Sequence, residues 1–343
     1  MASRACWGLC VLFLFGAGVC TAQPALNGDH PERYVVQPGD TLWDIAGRFL
    51  QEPWRWKEIW EANPQVQNPN RIYPGDVLVL KETAAGPRVA LESRGQVVKL
   101  SPQVRVTPLP RPIPTIPLEV IRPFLVEPLV FDDKGELNGA AYVVGNAEGR
   151  LVTGTGDSVY AKGVDEYDGP QYGIFRPGKV FRDWGRREIL GYEAVHVADA
   201  ELVRNDGDVS KLEVLNSSLP VHPGDRVLPV SDKEQLVAFI PEAPSLPVEG
   251  RVISIPSASR YVGRYQVVVV SLGLDDGVQE GDVLATYTAG ARVNDPVRPA
   301  RVTLPQERSG LVMLFRIFDR VSYGLVMEAQ RDIAVGDVIT NPE

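Results

Sequence analysis

Between residues 34 and 80 the apolar positions change period more than once. Tyr34-Val35-Val36 is a short apolar run closed by Pro38-Gly39-Asp40, which reads as a strand entering a tight turn. Leu42, Ile45, Ala46 and Phe49 follow at i, i+3, i+4 and i+7, one face of a helix. Thr41, just ahead of them, is placed to cap that helix, because its hydroxyl can accept an orphan backbone N–H. Trp56, Ile59 and Trp60 repeat the i, i+3, i+4 spacing, with Pro53 suited to the start of a second helix and Pro64 to its end. Pro74-Gly75 then turns into Val77-Leu78-Val79-Leu80, a second strand. The predicted order is strand, helix, helix, strand.

Outside this stretch the pattern differs. Residues 23–33 have no period and read as a loose leader. In "TPLPRPIPTIP" (107–117) a proline stands at 108, 110, 112, 114 and 117. Such spacing favours an extended polyproline-like strand, and eleven residues would reach roughly 34 Å. A semi-rigid spacer and an edge segment lying along the next domain both fit. "PLEVIRPFL" (117–125) suits one or two helical turns. Beyond it, strands are expected at 141–144, 158–161, 189–198, 212–215, 226–230, 251–255, 266–272, 283–287, 311–318 and 325–328. A short helix is expected from Ser231, where Glu234 completes a capping-box spacing. "PVHPGDRVLPV" (220–230), "DGVQEGDVLATY" (276–287) and "DIAVGDVIT" (332–340) share one local pattern: an apolar residue, a Gly-Asp turn, then a strand. They suggest related β units divided near residues 241–247. The expected fold class is multidomain and mainly β. A leader at 1–22 precedes a βααβ module at 34–81 and a Pro-rich connection at 82–130. Tandem barrel-like or sandwich-like β domains follow at 131–245 and 246–343.

Composition narrows the chemistry. Arg4 followed by the apolar stretch 9–20 and the small residues Cys20 and Ala22 reads as a signal peptide cleaved after Ala22, too short to span a bilayer. All three cysteines (Cys6, Cys10 and Cys20) lie in it. Cleavage would leave no thiol for a disulfide, a thiolate metal site or a cysteine nucleophile. It would also take the net charge from −9 to −10, a poor match for nucleic acid or an anionic membrane. Only His30, His196 and His222 are available for zinc, and they are not clustered in sequence. No Gly-x-Ser-x-Gly elbow appears. No metal or cofactor is expected, and the chain is read as non-catalytic. "RDWGRRE" (182–188) is either a docking patch or, as expected here, a solvated hairpin.

The segments "YVVQPGDTLWDIAGRFL" (34–50), "WKEIWEANP" (56–64) and "NPNRIYPGDVLVL" (68–80) together resemble the LysM domain. "QEPWRW" (51–56) departs from many members by making the inter-helix connection longer and more aromatic. The resemblance implies binding of N-acetylglucosamine-containing polymers in a shallow groove between two loops. Here those are Gly39-Asp40-Thr41-Leu42 and Asn70-Arg71-Ile72-Tyr73. Backbone groups in a tight turn can meet the N-acetyl amide, Leu42 and Ile72 can pack on its methyl, and Tyr73 can stack or donate. Trp56 and Trp60 are expected in the core, while Trp43 and Trp54 are left open between core and sugar platform. One shallow groove implies weak binding per copy, so useful attachment implies many copies on an oligomeric assembly.

The layout of leader, LysM-like module, "RVTPLPRPIPTIPLEVIRPFL" (105–125) and tandem β domains with "VSLGLDDGVQEGDVL" (270–284) is similar to LysM-containing proteins associated with the type IV pilus secretin. Their C-terminal region resembles a flagellar outer-ring assembly protein. That resemblance implies a periplasmic protein that holds an outer-membrane secretin ring against peptidoglycan. The alternatives are a general wall-binding envelope protein without a pilus role and a peptidoglycan-remodelling enzyme.

Overall fold

The computed structural model describes residues 25–57, 72–83, 86–92, 128–147, 149, 152–165, 169–186, 188–230, 239–256, 260–290, 292–298 and 300–342. The predicted leader peptide, the proline-rich segment at 107–117, the helical turns at 117–125, the helix from Ser231 and most of the second helix of the first module, with Trp60, lie outside these residues.

The first module has strands β1 (Arg33–Val35), β2 (Val77–Thr83) and β3 (Gly86–Leu91) in the order β1-β2-β3. Helix α1 (Leu42–Phe49) begins as its sequence requires, with the Asp44 N–H donating to Thr41 Oγ1 at 3.1 Å. Its apolar positions meet Val36, Trp56, Ile72, Leu78 and Val89 in one core. Two expectations need correction. Strand β3 continues the module's sheet to residue 91, into the stretch expected to be connector. Residues 25–27 are not a loose leader either. Leu26 forms a bridge with Leu50, and the Asn27 N–H donates to Phe49 O at 2.9 Å.

Next come β4 (Pro128–Phe131), β5 (Ala141–Asn146), β6 (Ser158–Lys162), β7 (Gln171–Arg182), β8 (Ile189–Asn205), β9 (Val209–Ser217) and β10 (Arg226–Pro229). They form one sheet in the order β4-β8-β7-β10-β5-β6-β9. The long β8 pairs with β4 through Tyr192–Val195 and with β9 through Ala198–Asn205. The second pairing closes β8, β7, β10, β5, β6 and β9 on themselves, which removes their free edges. β7 was absent from the expected strands because Gly173, Pro177 and Gly178 interrupt its pattern. The structure accommodates them by register shifts against β8, one of them between Pro177 and Val180.

The last region holds β11 (Glu249–Ser254), β12 (Tyr261–Val262), β13 (Val267–Val270), β14 (Val283–Tyr287), β15 (Arg292–Asn294), β16 (Arg301–Thr303), β17 (Arg308–Ile317), β18 (Ser322–Ala329), β19 (Ile333–Ala334) and β20 (Val338–Thr340). A closed barrel runs β11-β13-β18-β17-β14-β20. Successive strand residues face opposite sides, and here both sides are buried. Val268, Val270, Val312, Leu314 and Val326 fill the interior. Val267, Val269, Leu311, Met313, Leu325 and Met327 face outward and are also buried. Trp43 and Trp54 of the first module and Phe181 and Leu190 of the first barrel cover them. The three parts therefore share a core.

The first barrel reaches this core through the β7–β8 turn. That turn contains "RDWGRRE", expected to be a solvated hairpin. The Ile189 carbonyl accepts from Arg320 Nη1 at 3.0 Å, and Glu188 pairs with Arg320 at 2.5 Å. The Trp184 ring lies against Gly336, where an added Cβ would stand 2.8 Å from it. The segment docks one barrel on the other.

Candidate functional site

One turn is used repeatedly in this chain, and two copies of it build the candidate site. In Gln37-Pro38-Gly39-Asp40, the Asp40 N–H donates to Gln37 O at 3.2 Å and the Gln37 N–H donates to Asp40 Oδ2 at 2.8 Å. In Tyr73-Pro74-Gly75-Asp76, the Asp76 N–H donates to Tyr73 O at 3.0 Å and the Tyr73 N–H to Asp76 Oδ2 at 3.0 Å. Proline supplies the first turn residue, and Gly39 and Gly75 sit at φ +95° and +96°, where a Cβ is penalised. The two turns lie side by side. The Gly75 N–H donates to Val36 O at 2.8 Å and the Val36 N–H to Asp76 O at 2.9 Å. The Asp40 carboxylate also accepts from Tyr34 Oη at 2.8 Å, and the Arg48 guanidinium lies 4.7 Å from the centre of the Tyr34 ring. Burial and the Asp40 hydrogen bond push the Tyr34 phenol up, keeping it a neutral donor.

The expected site residues divide by exposure. Gly39 is exposed, and Asp40 and Tyr73 are partly so. Thr41 is buried as the helix cap, and Leu42 and Ile72 are buried in the module's core, Ile72 at 0% exposure. What Leu42 and Ile72 can offer a ligand is therefore backbone, and the expected packing of their side chains on an acetyl methyl does not fit this burial. Asn70 and Arg71 lie outside the described residues. Trp56 is in the module's core, as its spacing predicts.

A comparison with protein families matches residues 34–81 to the LysM domain. This segment is a LysM domain. LysM domains bind the N-acetylglucosamine chains of peptidoglycan. The chain is also 34% identical, over 62 residues, to the uncharacterized protein YqbP of Bacillus subtilis (strain 168). That match spans 28% of YqbP and 15% of this chain.

The sequence does not announce that the LysM domain is fastened to the second barrel. Trp43, at 1% exposure, joins the barrel's outer core, and Trp54 from the atypical "QEPWRW" segment packs beside it. Neither is a free sugar platform. Asp44 faces the barrel from α1: its Oδ1 accepts from Tyr265 Oη at 3.0 Å and from Arg264 Nη2, and its Oδ2 accepts from Thr41 Oγ1 at 2.7 Å. Lys57 pairs with Glu242.

Tyr265 shows what this contact requires. The turn Gly263-Arg264-Tyr265-Gln266 repeats the LysM turns: the Gln266 N–H donates to Gly263 O at 3.3 Å and the Gly263 N–H to Gln266 Oε1 at 2.8 Å. Related turns place Gly156, Gly224, Gly281 and Gly336 at positive φ. Here tyrosine takes that place at φ +62°, where a bulky side chain costs on the order of 1–3 kcal/mol. Its hydroxyl supplies the bond to Asp44.

The contact has a pH window. Burial disfavours the charged Asp44, but hydrogen bonds from Thr41, Arg264 and Tyr265 outweigh it and hold the carboxyl below the usual 3.8. Its stabilisation is present above that value and lost as pH falls below it. Burial and Asp44 push the Tyr265 phenol from 10.0 up to about 12, so its share is present below 10.0 and fades as pH rises through about 12. LysM docking is expected to loosen at both extremes, read by small-angle scattering across a pH series, and D44N should abolish the acid limb of that loosening.

Proposed function

We propose that this chain is a non-catalytic, periplasmic wall-binding protein. Its LysM domain grips peptidoglycan glycan strands and its β-barrels hold an outer-membrane type IV pilus secretin ring. The observation that carries the wall-binding part is the LysM match over residues 34–81, whose two Pro-Gly-Asp turns lock edge to edge through the Val36, Gly75 and Asp76 backbone. The secretin partner is supported by the layout of leader, LysM domain, proline-rich connection and tandem β domains. Affinity for glycan is weak per copy, and a ring carrying many copies supplies the avidity. Docking of the LysM domain on the second barrel suits a load-bearing role, because force on the barrel passes to the wall contact without a flexible joint there.

The test uses the full chain without its leader. Sedimentation with purified sacculi, reversed by an excess of N-acetylglucosamine oligomers, is the expected result. Co-purification of a secretin from solubilised outer membrane is expected in parallel. Absence of sedimentation contradicts the wall-binding reading. Sedimentation without any secretin leaves a general envelope protein, and release of muropeptides from the sacculi contradicts the non-catalytic reading.

A further inference from the structure

Docking creates a cleft of about 510 Å3 between α1 and the second barrel. Such a volume is within the roughly 300–1,000 Å3 of small-molecule sites. Asp40, Arg48 and Pro53 line it from the LysM side, and Arg264, Glu328 and Gln330 from the barrel side. Asp40 is shared with the first Pro-Gly-Asp turn, so cleft and turn are continuous. We propose that this cleft is an added saccharide subsite, built jointly by the two domains, which takes the sugar units of the glycan strand beyond those held by the two turns.

The chemistry of the lining favours a sugar over other ligands. With Asp44, which also lines it, the cleft holds three carboxylates and two guanidiniums and has no strong excess of either sign, which disfavours a phosphate or a metal ion. Planar carboxylate, guanidinium and carboxamide groups present paired donors and acceptors at the spacing of neighbouring hydroxyls. Arg264 is held in place by its bonds to Asp44 and to Met327 O, the latter at 2.9 Å, and by stacking 4.3 Å from the Tyr265 ring centre. Gln330 is exposed, and among the described residues its backbone N–H donates to Ser309 O at 2.8 Å while its side chain makes no hydrogen bond. Pro53 supplies an apolar surface for a sugar's C–H face. The cleft also accounts for the tyrosine at a strained turn position, since Tyr265 holds the two walls together.

This inference rests on the reading of the two turns as the first glycan site, and glycan length separates the two claims. The full chain is titrated calorimetrically with N-acetylglucosamine dimer, tetramer and hexamer. Glu328→Gln and Gln330→Ala are compared, each on the barrel surface and each first checked for an unchanged melting temperature. The expected result is tighter binding of the hexamer than of the dimer in the unaltered protein. Each variant should lose about threefold to tenfold in hexamer affinity with dimer affinity unchanged. Equal hexamer affinity in the variants and the unaltered chain overturns the subsite while leaving the first glycan site standing. No binding of any oligomer overturns both.

Discussion

Replacing Trp43 by alanine is expected to lower the stability of the protein by about 3–5 kcal/mol and to release the LysM domain from the second barrel. Trp43 is 1% exposed, yet its neighbours are barrel residues rather than the LysM core. The LysM core, with Leu42, Ile45, Phe49 and Ile72, does not include it. Its removal therefore empties an interface and leaves the domain's own packing in place. Urea denaturation should show the loss of stability. Nitrogen relaxation should show the LysM amides tumbling faster than those of the barrels. Retained common tumbling would mean that the Asp44, Arg264 and Tyr265 contacts suffice without the indole.

Ile72→Ala is expected to cost about 2–5 kcal/mol, because the side chain is fully buried between α1 and β2 and its loss leaves a cavity. Glycan affinity of the folded fraction should change little. Residue 72 precedes the second turn, and with its side chain fully buried only its backbone is left to meet a ligand there. Thermal melts together with calorimetry at a temperature where the variant is folded separate the two effects. A large affinity loss in a fully folded variant would show that the isoleucine side chain itself touches sugar. Thr41 carries the same lesson: its hydroxyl is engaged with the Asp44 N–H and carboxylate.

Much of the LysM fold was legible because helical and strand periods are local properties. The i, i+3, i+4, i+7 set from Leu42 to Phe49, the Thr41 cap and the two Pro-Gly turns each follow from a few neighbouring residues. The Gly-Asp turns of the barrels were legible for the same reason. β7 was not, since Gly173, Pro177 and Gly178 break its alternation and only register shifts against β8 keep it a strand. Docking of the LysM domain is a long-range property, but it left a trace. Val267–Val270 and Leu311–Phe315 are unbroken apolar runs, whereas a barrel strand with one face in water alternates. Such runs mean that something covers the outside. Trp43 and Trp54, with Phe181 and Leu190, do so, and the sequence around the two tryptophans does not distinguish a barrel from a sugar as their partner. Tyr265 left a second trace, a tyrosine where the related turns carry glycine.

The central claim is that glycan is held by the paired turns on the LysM domain. Hydrogen exchange on the full chain with and without N-acetylglucosamine hexamer tests it most directly. Protection confined to the amides of residues 37–42 and 72–76, extending to the cleft around 328–330, is the predicted result. Protection confined to barrel amides far from these turns, or none at saturating hexamer, would contradict it.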